Sequence, residues 1–293
     1  MKNSILPSAF FVILWSTGFV GAKYGMPYAE PMTFLFFRFL SVTGVLLLFL
    51  PFISRQHFSF SKVAHGSFVG IMLHSIYLGG VFYAIRQGMS TGLSSLIVCL
   101  QPIFTSLLAG VFLNEKITTK QWLGLLLGLS GVVLLLSPKL LGSDTSTTGY
   151  LSYTNEGIIA CFISLCGIVT GTLYQKKFCA HQHLVVGAFS QYIAALVFTG
   201  VIVVLFEDFQ IEWNFQVILT LLWLVFALSI GAIGLLMFLI CHGAASKVSS
   251  LFYLVPALTA VEGYILFDEA LSKITILGII ISLSGVFMAT KKN

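Results

Sequence analysis

The chain has 293 residues, of which 58% are hydrophobic and 9% are charged, and its formal net charge is +5. A soluble domain carries roughly 25% charged residues, so this composition excludes a soluble globular protein and indicates a multi-pass membrane protein. The five cysteines are scattered and form no CxxC pair, so neither a disulfide framework nor a zinc site is indicated.

Apolar windows long enough to cross a bilayer as helices, about 20 residues each, occur ten times along the chain. The first window follows Lys2 as a signal peptide would, but no small-x-small cleavage site follows it, so we expect an uncleaved helix. The predicted helices are Leu6–Tyr24, Pro31–Ile53, Gly66–Ile85, Gly92–Leu113, Gln121–Leu136, Glu156–Tyr174, Leu184–Phe206, Val217–Cys241, Lys247–Phe267 and Ile274–Thr290.

The basic residues between these windows indicate the orientation of the chain. With a cytoplasmic N-terminus, ten basic residues fall inside and four outside, which fits the positive-inside rule with both termini cytoplasmic. The positive charge is therefore a topology signal, and nucleic acid is excluded as a partner. The inner set is Lys2, Arg55, Lys62, Lys116, Lys120, Lys176, Lys177, Lys247, Lys291 and Lys292, and the outer set is Lys23, Arg86, Lys139 and Lys273.

The chain contains an internal duplication. Residues 95–132, shifted by 154 positions without a gap, align with residues 249–286 and match at eleven positions. Duplicated membrane units are typical of transporters. The matches that a generic apolar composition does not explain include Pro102/Pro256, Glu115/Glu269, Gly124/Gly278, Ser130/Ser284 and Gly131/Gly285.

A stretch rich in Ser, Thr and Gly, residues 137–155, separates two predicted units, residues 1–136 and 156–293. Each unit holds five predicted helices, and because five is an odd number, the second unit must lie upside down relative to the first. The predicted fold class is therefore an all-α integral membrane protein with ten transmembrane helices arranged as two inverted five-helix repeats.

The repeated pattern resembles that of the EamA-type drug/metabolite transporter superfamily, and the resemblance covers nearly the whole chain. It implies two EamA units and transport of amino acids, other metabolites, nucleotide-sugars or drugs, mostly as export in bacteria. The second unit departs from the pattern because it has no Trp-Gly pair in its first helix and no arginine matching Arg38. The resemblance is carried by Pro102…Asn114-Glu115…Leu123-Gly124…Ser130-Gly131, by its repeat Pro256…Asp268-Glu269…Leu277-Gly278…Ser284-Gly285, by Trp15-Ser16-Thr17-Gly18-Phe19 and by Phe37-Arg38-Phe39.

Two charged residues, Arg38 and Glu262, fall inside predicted membrane helices, where a charge costs at least a few kcal/mol and marks function. Their sequence positions place both roughly 9–10 Å from the outer ends of their helices. One hypothesis pairs them as a salt bridge that locks one conformation. Another has Arg38 bind a substrate carboxylate while Glu262 binds an ammonium group or exchanges a proton. A structural alternative is that Arg38 caps loop carbonyls and helps the helix to insert.

Pro102 and Pro256 fall near the centres of their predicted helices, where proline removes a backbone hydrogen bond and kinks the helix. Transporters place such interruptions at matching points of both halves, near the bilayer midplane. We therefore predict a gating role for both prolines, with bending alone as the alternative. Gln101, beside the first proline, would present its amide to a central cavity.

Aromatic residues complete the predicted cavity lining: Trp15, Tyr77, Tyr83, Tyr174, Tyr192 and Tyr253. For Tyr83 and Tyr174, a place in the interfacial aromatic belt is an equal alternative. His74 shares a helix face with Tyr77. It is either a proton carrier or a buried histidine that is simply hydrogen-bonded.

Motifs for nucleotide hydrolysis, serine hydrolysis and metal binding are missing from the sequence. The predicted function is a secondary transporter of a small organic metabolite such as an amino acid, an exporter working by alternating access in a bacterial inner membrane. A channel or facilitator is the alternative, and a membrane-embedded enzyme is a weaker one. No cofactor or metal is expected, and the predicted partners are the substrate and membrane lipid. A coupling proton remains open, as does a homodimer. The small-residue face of Gly124, Gly128 and Gly131 indicates close helix packing first, and a dimer or half-to-half surface second.

Overall fold

The computed structural model describes residues 5–54, 59–87, 89, 94, 97–140, 154–243, 245–267 and 272–290. These residues are helical or in short connections, and their one β-type contact is an isolated bridge between Ala29 and Ile211. The all-helical prediction is therefore confirmed for the described part of the chain. Glu269 and most of the linker between the predicted units lie outside the described residues.

The helices follow one another with short connections. Two of them, α3 and α8, contain a π-helical segment, Ile71–Ile76 and Leu224–Ala232. A 3-10 turn, Leu251–Tyr253, connects α9 to α10. The helices are α1 (Ile5–Gly25), α2 (Pro31–Phe49), α3 (Phe60–Arg86), α4 (Gln101–Phe112), α5 (Thr119–Leu140), α6 (Asn155–Phe178), α7 (Leu184–Phe206), α8 (Phe215–His242), α9 (Ala245–Ser250), α10 (Leu254–Phe267) and α11 (Lys273–Thr290).

Seven helical segments in the described residues are long and apolar enough to cross a membrane, namely those in α2, α3, α5, α6, α7, α8 and α11. Shorter apolar helices are found at Leu6–Gly18 and Gln101–Phe112. The outward faces of these helices carry large exposed apolar side chains, for example Leu48, Val204 and Phe287. Such surfaces suit a hydrocarbon environment.

The 154-residue offset of the duplication recurs in the secondary structure. Shifted by 154, α2 falls on residues 185–203, inside α7, and α4 falls on residues 255–266, inside α10. The π segment of α3 falls on residues 225–230, inside the π segment of α8. The duplication therefore reproduces local irregularities as well as helix positions.

Both prolines of the repeat begin a helix, which corrects the prediction that each kinks the middle of a continuous one. Pro102 is in the first turn of α4, after a turn at Cys99 and Leu100, and Pro256 is in the first turn of α10, after the 3-10 turn. The first N–H groups of a helix have no partner within it, so proline costs nothing at that position. The interruption is matched between the units, but it precedes the proline.

Helices α5 and α11 pack at backbone distance through glycines. A Cβ on Gly124 would lie 2.5 Å from the Ala289 nitrogen, and one on Gly278 would overlap the Leu135 nitrogen. The two contacts are equivalent in the two repeats, because shifting Gly124 and Leu135 by 154 residues gives Gly278 and Ala289. Gly124, near the start of α5, meets Ala289, near the end of α11, so these two equivalent helices run antiparallel.

Two carboxylates each join one unit to a helix N-terminus of the other. Glu115 accepts hydrogen bonds from the Ala245 nitrogen at 2.8 Å and the Ser246 hydroxyl at 2.9 Å, at the start of α9. Glu207 accepts from the Met32 nitrogen at 2.9 Å and the Thr33 nitrogen at 2.6 Å, at the start of α2. A carboxylate satisfies the free N–H groups of a helix and complements its dipole.

Candidate functional site

A narrow cavity of about 40 Å³ lies among α1, α2, α3 and α8. Trp15 and Gly18 border it from α1, Arg38 from α2 and Tyr77 from α3. A cavity of this size holds only a few water molecules, so a small organic ligand requires the lining helices to separate. The remaining lining side chains are apolar: Leu78, Val81, Phe82, Ile85, Leu228 and Ile233.

Arg38 is the one ionisable group among these lining residues apart from the phenol of Tyr77. Its side chain is 2% exposed, and its Nε donates a hydrogen bond to the Ser229 hydroxyl at 2.9 Å. Within the described residues, its terminal nitrogens form no hydrogen bond and no carboxylate pairs with it. A buried guanidinium without a counter-ion is costly in a membrane interior, so the site suits an anionic ligand.

Ser229 anchors the site, and the sequence analysis did not identify it. It lies in the π segment of α8, and its carbonyl accepts a hydrogen bond from the Tyr192 hydroxyl at 3.1 Å. Tyr192 is the 154-shifted counterpart of Arg38, so the equivalent residues of both units converge on one serine. A signal was available in the sequence, because Ser229 is itself the counterpart of Ser75.

His74 lies behind the arginine, outside the cavity lining. Its ring is fully buried and stacks on the Tyr192 ring with centroids 4.3 Å apart and planes at 13°. No described side chain meets the geometry of a hydrogen bond to either ring nitrogen, but the Gln191 side chain lies beside the ring, so the hydrogen-bonded alternative stays a prediction. Its role as a proton carrier stays a prediction.

Glu262 does not pair with Arg38, and the proposed salt bridge is wrong. Its Oε1 accepts a hydrogen bond from the Ser16 hydroxyl at 2.5 Å, while its Oε2 has no hydrogen-bond partner. Its carboxylate is half-buried between α10 and α1 and is not part of the cavity lining. The two charges were estimated at similar depths, but depth along a helix does not determine which neighbour a side chain faces.

The other predicted lining residues divide between cavity and interior. Trp15 and Tyr77 line the cavity, and the Trp15 ring also packs edge-on against Phe252 at 5.2 Å. Tyr83 is 37% exposed and lies outside the lining, as the interfacial alternative allows. Tyr253 is fully buried with its hydroxyl unpaired, and its ring covers Gly128.

Gln101 joins the two units away from the cavity. Its Nε2 donates hydrogen bonds to the Ser249 hydroxyl at 3.0 Å and to the Thr105 hydroxyl at 3.3 Å. Its Oε1 is buried without a partner. The amide therefore holds α4 against α9, and its carbonyl is free to accept a hydrogen bond in another arrangement of the helices.

Comparison with known protein families finds the same two repeats in the sequence. The profile of the EamA-like transporter family matches residues 4–137 and matches again over residues 155–291. These two matches cover almost the whole chain and confirm the resemblance seen in the sequence motifs.

Individual relatives agree with the family match, and a solved structure has the same fold. The chain is 24% identical over 298 residues to a "Probable amino-acid metabolite efflux pump" of Escherichia coli (strain K12), covering 98% of this chain and 94% of that protein. It is 26% identical over 292 residues to the "Uncharacterized transporter YvbV" of Bacillus subtilis (strain 168), covering 97% and 90%. A crystal structure at 18% identity has the same fold, with a TM-score of 0.77 over 99% of this chain and 97% of that one.

Proposed function

The chain belongs to the EamA-like transporter family, and from that premise we propose that it is a secondary transporter of small organic metabolites working by alternating access. Multi-pass membrane character and a transporter function follow from the family and from the names of the relatives. The mechanism, the site and the direction of transport are the proposal.

The observation that carries the proposal is the buried arginine at the cavity, which has no acidic partner among the residues that the structure describes. Arg38 is buried in an apolar interior with the Ser229 hydroxyl as its hydrogen-bond partner, and burying this charge is energetically unfavourable. Such intramembrane charges mark substrate or ion pathways. Arg38 is the proposed anchor of the substrate, with Trp15 and Tyr77 as its walls.

Alternating access requires two halves that can exchange arrangements, and the helix packing supports two inverted repeats. Equivalent helices α5 and α11 run antiparallel and exchange the same glycine contacts. The matched π segments and the matched breaks before the prolines add to this support. If the interrupted segments are counted with their neighbours, we propose ten spans with both termini in the cytoplasm and a bacterial inner-membrane location.

The direction and substrate class are proposed from the relative that is named an amino-acid metabolite efflux pump. We propose export of amino acids or compounds derived from them. Coupling to a proton gradient is part of the proposal because the described residues include His74, a histidine fully buried behind Arg38. Pro102 and Pro256 start the helices that would swing during gating.

Transport by the full-length protein in proteoliposomes tests the proposal. Labelled amino acids and related carboxylic acids are supplied with and without a pH gradient, and both initial rates and counterflow are measured. A carrier saturates and shows counterflow because its site faces one side at a time. Arg38→Ala should abolish this flux, whereas Arg86→Ala, which removes an exposed arginine at the end of α3, should retain it.

Three outcomes would contradict the proposal. Flux that rises linearly with concentration and lacks counterflow would indicate a channel. Release of a chemically altered compound would indicate an enzyme. Equal flux in Arg38→Ala and the wild type would remove the cavity as the site, whatever the mechanism.

A further inference from the structure

The charge in the cavity restricts the ligand more narrowly than the proposed function does. Among the described residues, the lining provides one guanidinium, and no carboxylate, ammonium or imidazole accompanies it. A planar carboxylate matches a guanidinium in geometry and charge. A ligand with one negative charge would therefore leave the site neutral, whereas a dianion would bury a second charge without a partner.

An ammonium group has no counter-charge in this cavity. The only carboxylate of α10 that could serve, Glu262, is held by Ser16 through Oε1 and lies outside the lining. A buried charge that lacks a partner is strongly disfavoured. An amino acid would bring its ammonium group into this environment, and the corresponding 2-oxo acid would not.

The walls indicate the rest of the ligand. Six aliphatic or aromatic side chains and the ring of Trp15 line the cavity. Besides Arg38, the lining offers hydrogen-bonding groups only on Tyr77 and Trp15, so most hydroxyl or amide groups of a polyhydroxylated ligand would lose water without gaining hydrogen bonds. A branched or aromatic hydrocarbon fits these walls, and a sugar does not.

We infer that the cavity binds monocarboxylates with an apolar side chain and no ammonium group, the chemistry of branched-chain or aromatic 2-oxo acids, through a contact between Arg38 and the carboxylate. The inference rests on the proposed function and names the substrate class of the same site. Ser229 positions the guanidinium by holding its Nε, which leaves the terminal nitrogens for the ligand.

Calorimetric titration of the purified full chain in detergent tests the inference with compounds that share one carbon skeleton. The probes are 4-methyl-2-oxopentanoate, leucine and 3-methylbutylamine, with 2-oxoglutarate as the dianion. The expected result is that the oxo acid binds at least about tenfold more tightly than leucine, and that the amine and the dianion do not bind. Arg38→Lys should weaken binding because it loses the bidentate geometry, and Arg86→Ala should not change it.

The wild-type series decides the inference without any variant. Leucine binding as tightly as the oxo acid, binding of the amine, or failure of every probe to bind would overturn it. Its failure differs from failure of the proposed function: Arg38-dependent counterflow of leucine would overturn the substrate class and leave the transporter intact. Oxo-acid binding without any counterflow would overturn the transporter and leave the site.

Discussion

The glycine seam between α5 and α11 allows the packing of the two units to be tested by one methyl group. In Gly124→Ala the new Cβ would lie 2.5 Å from the Ala289 nitrogen and 2.8 Å from the Gly285 oxygen. Ordinary van der Waals contact begins at 3.4 Å, so the helices must separate by about 0.9 Å there. The obstructing atoms are backbone, so no side chain can rotate away to relieve the overlap.

The expected cost combines two opposing effects. Overpacking of a tight interface costs about 1–3 kcal/mol, and backbone contacts favour the upper end of that range. Replacing glycine by alanine in a helix returns up to about 1 kcal/mol. A net loss of about 2 kcal/mol is expected, which lowers the melting temperature by roughly 3 °C for a chain of this size.

The assay is thermal unfolding of the purified protein in detergent, with Gly44→Ala as the matched control. Gly44 is also in a helix, and a Cβ there meets nothing within 4 Å, so this variant should be as stable as the wild type or more stable. Gly278→Ala should cost about as much as Gly124→Ala, because it meets the equivalent backbone nitrogen in the other unit. A Gly124→Ala protein as stable as the Gly44→Ala protein would refute the proposed close packing.

Three further predictions concern polar contacts. Ser229→Ala removes the hydrogen bond that holds the Arg38 guanidinium and should weaken carboxylate binding about tenfold in the calorimetric titration. Ser75, the repeat counterpart of Ser229, is bonded within the interior, so Ser75→Ala should lower stability and leave the affinity unchanged. Equal losses of affinity in the two variants would contradict this prediction. Arg38 and Glu262 have different partners, so the stability losses of their alanine variants should add within about 0.5 kcal/mol. A double variant that is more stable than either single variant would restore the salt-bridge hypothesis. Glu207→Gln removes a charge at the start of α2 and should lower the free energy of unfolding by about 0.3–2 kcal/mol; no change in the melting temperature would show that the cap is dispensable.

The prolines show where sequence reasoning was right and where it failed. The duplication located a matched interruption near Pro102 and Pro256, and the structure has one at each place. The predicted kink was misplaced because proline is compatible with both the interior of a bent membrane helix and the first turn of a new one. Only the path of the preceding residues distinguishes these cases.

Composition and the repeat were sufficient to identify a helical membrane protein, because both can be read directly from the sequence without knowing which residues meet in the fold. Long apolar windows can only be satisfied as helices in a bilayer, and the 154-residue offset of the motifs recurs in the π segments and helix positions. Arg38 could be recognised as exceptional for the same reason, since a charge stands out in an apolar window.

The tertiary structure alone decided which residues meet. Arg38 forms a hydrogen bond with Ser229, and Glu262 forms one with Ser16, although the depths of the two charges along their helices suggested a pair. A helix surrounded by lipid and other helices is apolar on most of its surface, so its sequence carries little information about its rotation around its own axis. That rotation is set by contacts such as the backbone approach at Gly124, which join residues far apart in the chain.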